Sequence, residues 1–150
     1  MLTYRLVLPP EAGAAAELHR RAGALIPGYD TTRHTLGAYR DQYLKHIAGG
    51  DPVWGAFDGN ALRGHCALLP GWIDHLYVDP IYHGNGIGTA LVTIAQREQD
   101  ELRLYTFQSN VPARRLYEKH GFVVEELTDG RRNEEKMPDV TYFWAKAGSR

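Results

Sequence analysis

Apolar positions along this chain change period at one stretch, residues 72–96, W-I-D-H-L-Y-V-D-P-I-Y-H-G-N-G-I-G-T-A-L-V-T-I-A-Q. An apolar run ends at Val78 and Asp79-Pro80 breaks it. A glycine-rich turn follows over residues 83–88, H-G-N-G-I-G. Ile87, Leu91, Ile94 and Ala95 then fall at i, i+4, i+7 and i+8, one face of a helix. The pattern predicts a strand, a glycine turn and a helix.

The flanking chain predicts a helix-and-strand alternation. Residues 4–8 read as a strand, stopped by Pro9-Pro10. Residues 11–25 read as an alanine-rich helix with Leu18, Ala22 and Leu25 on its stripe. A second helix carries Leu36, Tyr39, Tyr43 and Ile47 on one face and stops at Gly49-Gly50. Residues 53–57 and 61–69 read as strands joined by the hairpin signal Asp58-Gly59-Asn60. Beyond the central helix, residues 102–107 predict a strand, and residues 110–120 a helix, with Pro112 in its first turn and Gly121 past its end. Ala113, Leu116 and Tyr117 share one face of it. Strands over residues 122–127 and 139–145 close the chain around a polar loop, and residues 147–150 read as a frayed tail. The order is βααβββαβαββ, an α/β chain whose last two strands pair antiparallel.

The glycine turn carries the first chemistry. Glycines accept positive φ and let a ligand approach the main chain. The unpaired N–H groups and the dipole at a helix start favour an anion, most often phosphate. The alternative is a tight connection that happens to be glycine-rich; the strand before and helix after tilt the reading toward a phosphate cradle. Gly88 is followed by Thr89 with no lysine, which argues against a triphosphate-binding loop. A dinucleotide fold would place such a turn after its first strand, and here too little chain follows for a doubly wound sheet.

L-Y-V-D-P over residues 76–80, His83-x-x-Gly86-x-Gly88, then Ser109-Asn110, Ala113 and L-Y-E-K-H-G-F over residues 116–122 resemble the two motifs of the GNAT superfamily of acyl-CoA-dependent N-acetyltransferases. The resemblance covers roughly residues 53–146, with His83 where the family usually has Arg or Gln. It implies a mixed, strongly twisted sheet flanked by helices, and transfer of acetyl from acetyl-CoA to a primary amine in a ternary complex. Coenzyme binding falls on the turn, His83, Gly84, Asn85, Gly86, Ile87, Gly88 and Thr89. The N–H groups of Gly84, Asn85, Gly86, Gly88 and Thr89 would hold the pyrophosphate. The pantetheine arm would pair with the backbone of Leu76, Tyr77 and Val78, and one N–H there would face the thioester oxygen. Asn110 would bond that arm, act as a helix N-cap, or both. Tyr117 is the implied general acid at the sulfur, against the alternative of a core tyrosine.

For the base, Asp74 and His75 lie on the central strand and Tyr105 on the next. Strand alternation predicts that Asp74 and His75 cannot both face the acceptor. His75 has the more suitable ordinary pKa, and a water relay would need no side chain at all. The resemblance makes Tyr29, Asp30 and His34 acceptor contacts, with ordinary loop and cap roles as the alternative. The loop over residues 129–139 holds Asp129, Glu134, Glu135 and Asp139 against three basic residues, a cation-attracting rim or a solvated hairpin loop.

Composition narrows the rest. A chain of 150 residues suits a single domain, and a net charge of −1 gives no pull toward nucleic acid or membrane. Cys66 is the one cysteine, so no intrachain disulfide can form and a cytoplasmic setting is expected. It reads as a small core residue rather than a nucleophile. No run approaches the roughly 20 apolar residues that span a bilayer. The expected partners are acetyl-CoA as co-substrate, without a metal, and a small-molecule or peptide amine. The resemblance adds a homodimer as an assembly to test. A non-catalytic acyl-CoA-binding or regulatory module is the rival reading.

Overall fold

The computed structural model describes residues 1–147. The chain runs β1 (Leu2–Leu6), α1 (Ala12–Gly23), α2 (Leu36–Ala48), β2 (Val53–Asp58), β3 (Ala61–Leu69), β4 (Trp72–Val78), α3 (Ile87–Glu98), β5 (Glu101–Phe107), α4 (Val111–Lys119), β6 (Val123–Leu127) and β7 (Asp139–Ala145). The strands form one sheet in the order β1-β2-β3-β4-β5-β7-β6. All neighbours pair antiparallel except β4 and β5.

Each sheet face has its own core. Ile87, Leu91, Ile94 and Ala95 form the buried stripe of α3. Leu91 packs with Ile73, Leu104, Tyr117 and Tyr142 under α3 and α4. Full burial of such a leucine contributes about 1.5–3 kcal/mol. On the other face, Leu18 of α1 and Tyr39 and Tyr43 of α2 pack over Val53, Phe57 and Ala67. Thr35 caps α2, its Oγ1 accepting from Ala38 N at 3.1 Å.

Three expectations shift. The first strand ends at Leu6, because the Pro9–Glu11 turn draws Leu8 away from β2. Leu25 lies beyond the end of α1 and is 58% exposed, so it is not a core residue. The tail expected to fray falls almost wholly outside the described residues. Among those residues, no helix is long and apolar enough to cross a membrane.

Two features of β4 position the site. It pairs with β5 only where Trp72 lies opposite Arg103, and the two strands part beyond that point. Against β3, Ala67 pairs with His75 while Leu68 pairs with Ile73. Asp74 is therefore an extra residue without a partner on β3, a β-bulge.

Candidate active site

The glycine turn is held from below by Asp79. Its side chain is 2% exposed and accepts from Ile81 N at 3.1 Å, from Arg21 at 3.2 Å and from Arg63 at 3.2 Å. Burial pushes this carboxyl up, but the Ile81 N–H and the two guanidiniums outweigh it and hold the pKa below its ordinary value. Above it, Gly84 and Gly86 have φ of +87° and +77°, and a Cβ at either would meet nothing within 4 Å. The turn is thus left-handed and open outward. Gly86 begins α3 without a side-chain cap. The first-turn N–H groups of Ile87, Gly88 and Thr89 therefore have no intrahelical acceptor. That donor set suits a pyrophosphate.

Asn85 departs from expectation. Its N–H donates to Tyr82 O at 3.3 Å and closes the turn, so it is spent inside the protein. Gly88 has a second reason to lack a side chain. A Cβ there would sit 3.1 Å from Leu116 Cδ2, where α3 and α4 pack closely.

From the cradle a cleft of about 540 Å³ runs along β4, lined among others by Leu25, Ile26, Leu76, Val78, His83, Gly84, Thr89 and Asn110. Asp79 N donates to Arg63 O at 2.8 Å, which makes that pair a bonded rung of the β3–β4 ladder. Antiparallel rungs alternate, so Tyr77 opposite His65 is bonded too, and Leu76 and Val78 turn their N–H and C=O toward the gap with β5. Of the three expected backbone positions, Tyr77 is the one whose main chain belongs to β3. Asn110 caps α4, accepting from Ala113 N at 3.3 Å through Oδ1. Its NH₂ end is what can reach a ligand in the cleft.

Where β4 and β5 part, a throat of about 80 Å³ is lined by Asp74, His75, Leu76, Tyr77, Tyr105, Phe107, Asn110 and Tyr117, among others. All four expected acid and base residues thus meet at one void. The throat shares Ile26, Leu76, Tyr77, Asn110 and Ala113 with the cleft. It shares Tyr105, Thr106 and Phe107 with a basin of about 760 Å³ on the other side, lined also by Glu126, Arg131, Asn133 and Glu135. Cleft, throat and basin thus adjoin one another through shared lining residues around the β4–β5 gap.

Tyr117 is 5% exposed, and its ring packs on Phe122 and Tyr142. Burial raises its pKa well above the ordinary phenol value, with Cys66 and Tyr77 adding to the effect. The hydroxyl is therefore protonated at neutral pH and can only give a proton. It is both a core residue and a throat residue.

The family model for the acetyltransferase (GNAT) domain matches residues 48–124. The chain belongs to the GNAT acetyltransferase family. It is 28% identical over 109 residues to a streptothricin acetyltransferase of Escherichia coli, a match covering 65% of this chain and 63% of that relative's length. Its fold resembles that of the protein YncA of Salmonella typhimurium, solved with its cofactor acetyl-CoA, at a TM-score of 0.76 and 16% identity over 96% of this chain and 93% of that one. It equally resembles the PaiA N-acetyltransferase of Thermoplasma acidophilum in complex with coenzyme A, at 0.76 and 20% identity over 97% and 99%.

In this GNAT-family chain the bulge overturns the expected alternation of Asp74 and His75. Asp74 Oδ2 lies 3.5 Å from His75 Nε2 and 3.8 Å from His46 Nδ1 of α2, so the two β4 side chains share a face. His75 Nε2 is buried and has no hydrogen-bond partner. Burial lowers the His75 pKa; Asp74 offsets part of this and His46 adds to it. His75 is thus neutral and holds a lone pair. Tyr105 is 66% exposed and leans on Trp72 with ring centroids 4.9 Å apart, the setting of a wall residue.

The acceptor-side candidates divide. Tyr29 packs on a residue that lines the basin, its ring 5.5 Å from Phe107, with its hydroxyl 3.5 Å from that of Tyr39. Asp30 turns back on its own loop, accepting from Thr32 N at 2.9 Å and Thr32 Oγ1 at 2.6 Å, as an ordinary loop residue does. His34 Nε2 lies 2.7 Å from Glu134 Oε1 and ties the loop after α1 to the loop between β6 and β7. Of that second loop's acids, Asp129 pairs with Arg131 and Asp139 with Thr128 and Asn133. Glu135 lines the basin, and its charge contributes to raising the Tyr29 and Tyr77 phenols. His19, His46 and His65 escaped the sequence reading. His46 follows Tyr39 and Tyr43 on one helix face, a spacing that places it beside them.

Proposed function

We propose that this chain, as one domain over residues 1–150, transfers acetyl from acetyl-CoA to a primary amine by direct attack in a ternary complex. The cavities around the β4–β5 gap carry this reading: a cleft below the glycine turn and a separate basin each share lining residues with one throat, where Asp74, His75 and Tyr117 meet. The cradle N–H groups of Ile87, Gly88 and Thr89 bind the pyrophosphate. The Leu76 and Val78 backbone pairs with the pantetheine arm, and one of their N–H groups polarises the thioester carbonyl. Loss of one such donor typically costs about 3–4 kcal/mol in activation free energy. His75, oriented by Asp74, takes the proton of the attacking amine, and the Tyr117 hydroxyl protonates the departing thiolate and regains its own proton from solvent. Glu135 and the ring of Tyr29 receive the acceptor at the basin.

An amine panel with acetyl-CoA, read by thiol release, finds the acceptor; streptothricin, named for the curated relative, belongs in it. With that amine, Tyr117→Phe keeps the ring and its contacts with Phe122 and Tyr142. General-acid contributions are about 10²–10⁴-fold, so kcat falls by at least the lower figure while Kd for acetyl-CoA holds. A Phe variant with wild-type turnover removes Tyr117 from the chemistry.

A further inference from the structure

The Asp74 carboxylate sits between two imidazoles, and the mechanism above uses only one of them. His46 belongs to the last turn of α2. Its Nε2 lies 2.8 Å from Leu68 O. A carbonyl accepts only from N–H, so this contact fixes the proton on Nε2 and leaves the Nδ1 lone pair aimed at Asp74 Oδ2, 3.8 Å away. Two lone-pair bearers face each other there, an arrangement that a proton on Nδ1 turns into an ion pair. The helix C-terminus favours the same added charge. On the opposite side of the same oxygen, His75 is enclosed by the rings of His19 of α1 at 5.0 Å, Tyr43 of α2 at 5.5 Å and Tyr77 of β4 at 6.2 Å. None of those neighbours offers His75 a counter-charge; Asp74 is the shared one.

We propose that His46 is a positioning residue for the base: anchored on Leu68 O, it sets its Nδ1 edge against the Asp74 carboxylate, holds that carboxylate beside His75, and keeps His75 neutral to accept the amine's proton. The proposal rests on the reading of His75 as the base. No atom is consumed: the amine's proton passes to His75 and then to solvent, and Tyr117 regains from solvent the proton it gives the thiolate. His46→Gln is the informative change, because its side-chain NH₂ can still donate to Leu68 O while the titrating Nδ1 is gone.

The test is a pH titration of the histidine rings by ¹⁵N NMR in the intact protein and in His46→Gln. The expected result is that in His46→Gln the His75 titration moves upward by half a pH unit or more. An unmoved His75 titration in the variant overturns the proposal. A variant that is merely destabilised shows a lower urea midpoint with the His75 titration unmoved, which also counts against it. The acid limb of kcat/KM in His75→Gln separates the two readings. If the limb persists there, His75 is not the base and the positioning role falls with it. If the limb vanishes while the His46→Gln titration is unmoved, the base stands and the His46 proposal alone fails.

Discussion

Acidification to about pH 5 unfolds this protein more readily than its overall charge suggests, because two imidazoles are buried in the neutral state. His19 is 3% exposed and His65 is fully enclosed. Burial, with repulsion from His75 and His65, lowers the His19 pKa to about 2. Burial, again with His75 as the second cause, lowers that of His65 to about 3. In the unfolded chain both return to about 6.5. A folded value below the unfolded one means stability is full above about pH 6.5 and is lost as pH falls toward the folded value. Below pH 6.5 each histidine therefore costs about 1.4 kcal/mol per pH unit. From pH 7 to pH 5 that integrates to about 2 kcal/mol each and about 4 kcal/mol together, against a usual total of about 5–15 kcal/mol. The figure does not depend on the folded values so long as both lie below about 4. His75, lowered as well, acts in the same direction. The lowered carboxyls of Glu11 and Asp79 act only near and below the unfolded carboxylate range of about 4, outside this window. Urea unfolding at fixed pH values between 7 and 5 measures the slope, and His65→Gln removes one of the two contributions while keeping a donor for Ala15 O. A flat wild-type midpoint, or a His65→Gln slope equal to the wild type, refutes the reasoning.

Two further outcomes follow from the geometry. Gly86→Asp places a side chain at φ +77° and a negative charge in the phosphate path, so calorimetric affinity for CoA falls at least tenfold, with about 1–2 kcal/mol of stability lost to the left-handed backbone; unchanged affinity would reduce the turn to a connection. Cys66 is 1% exposed and burial pushes its thiol up to about 12, so a thiol reagent leaves the folded protein unmodified at neutral pH and reacts once urea unfolds it.

What the sequence disclosed was local in character. The change from a strand to a helical period at the glycine turn needs only neighbouring residues, and Ile87, Leu91, Ile94 and Ala95 are all buried as their spacing requires. Cys66 inside β3 and Asn110 at the start of α4 followed from residue type and position. What escaped depends on partners distant in the chain. The Asn85 N–H is spent because Tyr82 turns back through a 3-10 helix held by Asp79. Leu25 fits an α1 stripe by spacing, yet the helix ends before it and the residue borders the cleft along β4. His19 and His65 carry no signal in the local pattern. Their burial arises where α1 crosses β3, with His65 bonding Ala15 O and His19 bonding the Tyr43 hydroxyl at 2.8 Å.

The bulge at Asp74 links the cores to the chemistry. In a regular strand Ile73 would share a face with His75 and Tyr77, under α1 and α2. Instead Ile73 packs with Leu76 and Val78 in the core under α3 and α4, three and five positions apart. Odd spacing on one face is what an extra residue between Ile73 and His75 produces. Restoring the regular phase would swing Ile73 out of a site where it is 3% exposed, at a cost of roughly 1.5–3 kcal/mol by its transfer energy alone. Ile73 on one side of Asp74 and Leu76 on the other thus lock the bulge by core packing. The locked bulge sets Asp74 beside His75 and His46 and lies where β4 leaves β5, so the placement of His75 and the gap beside it have a common origin in the same extra residue.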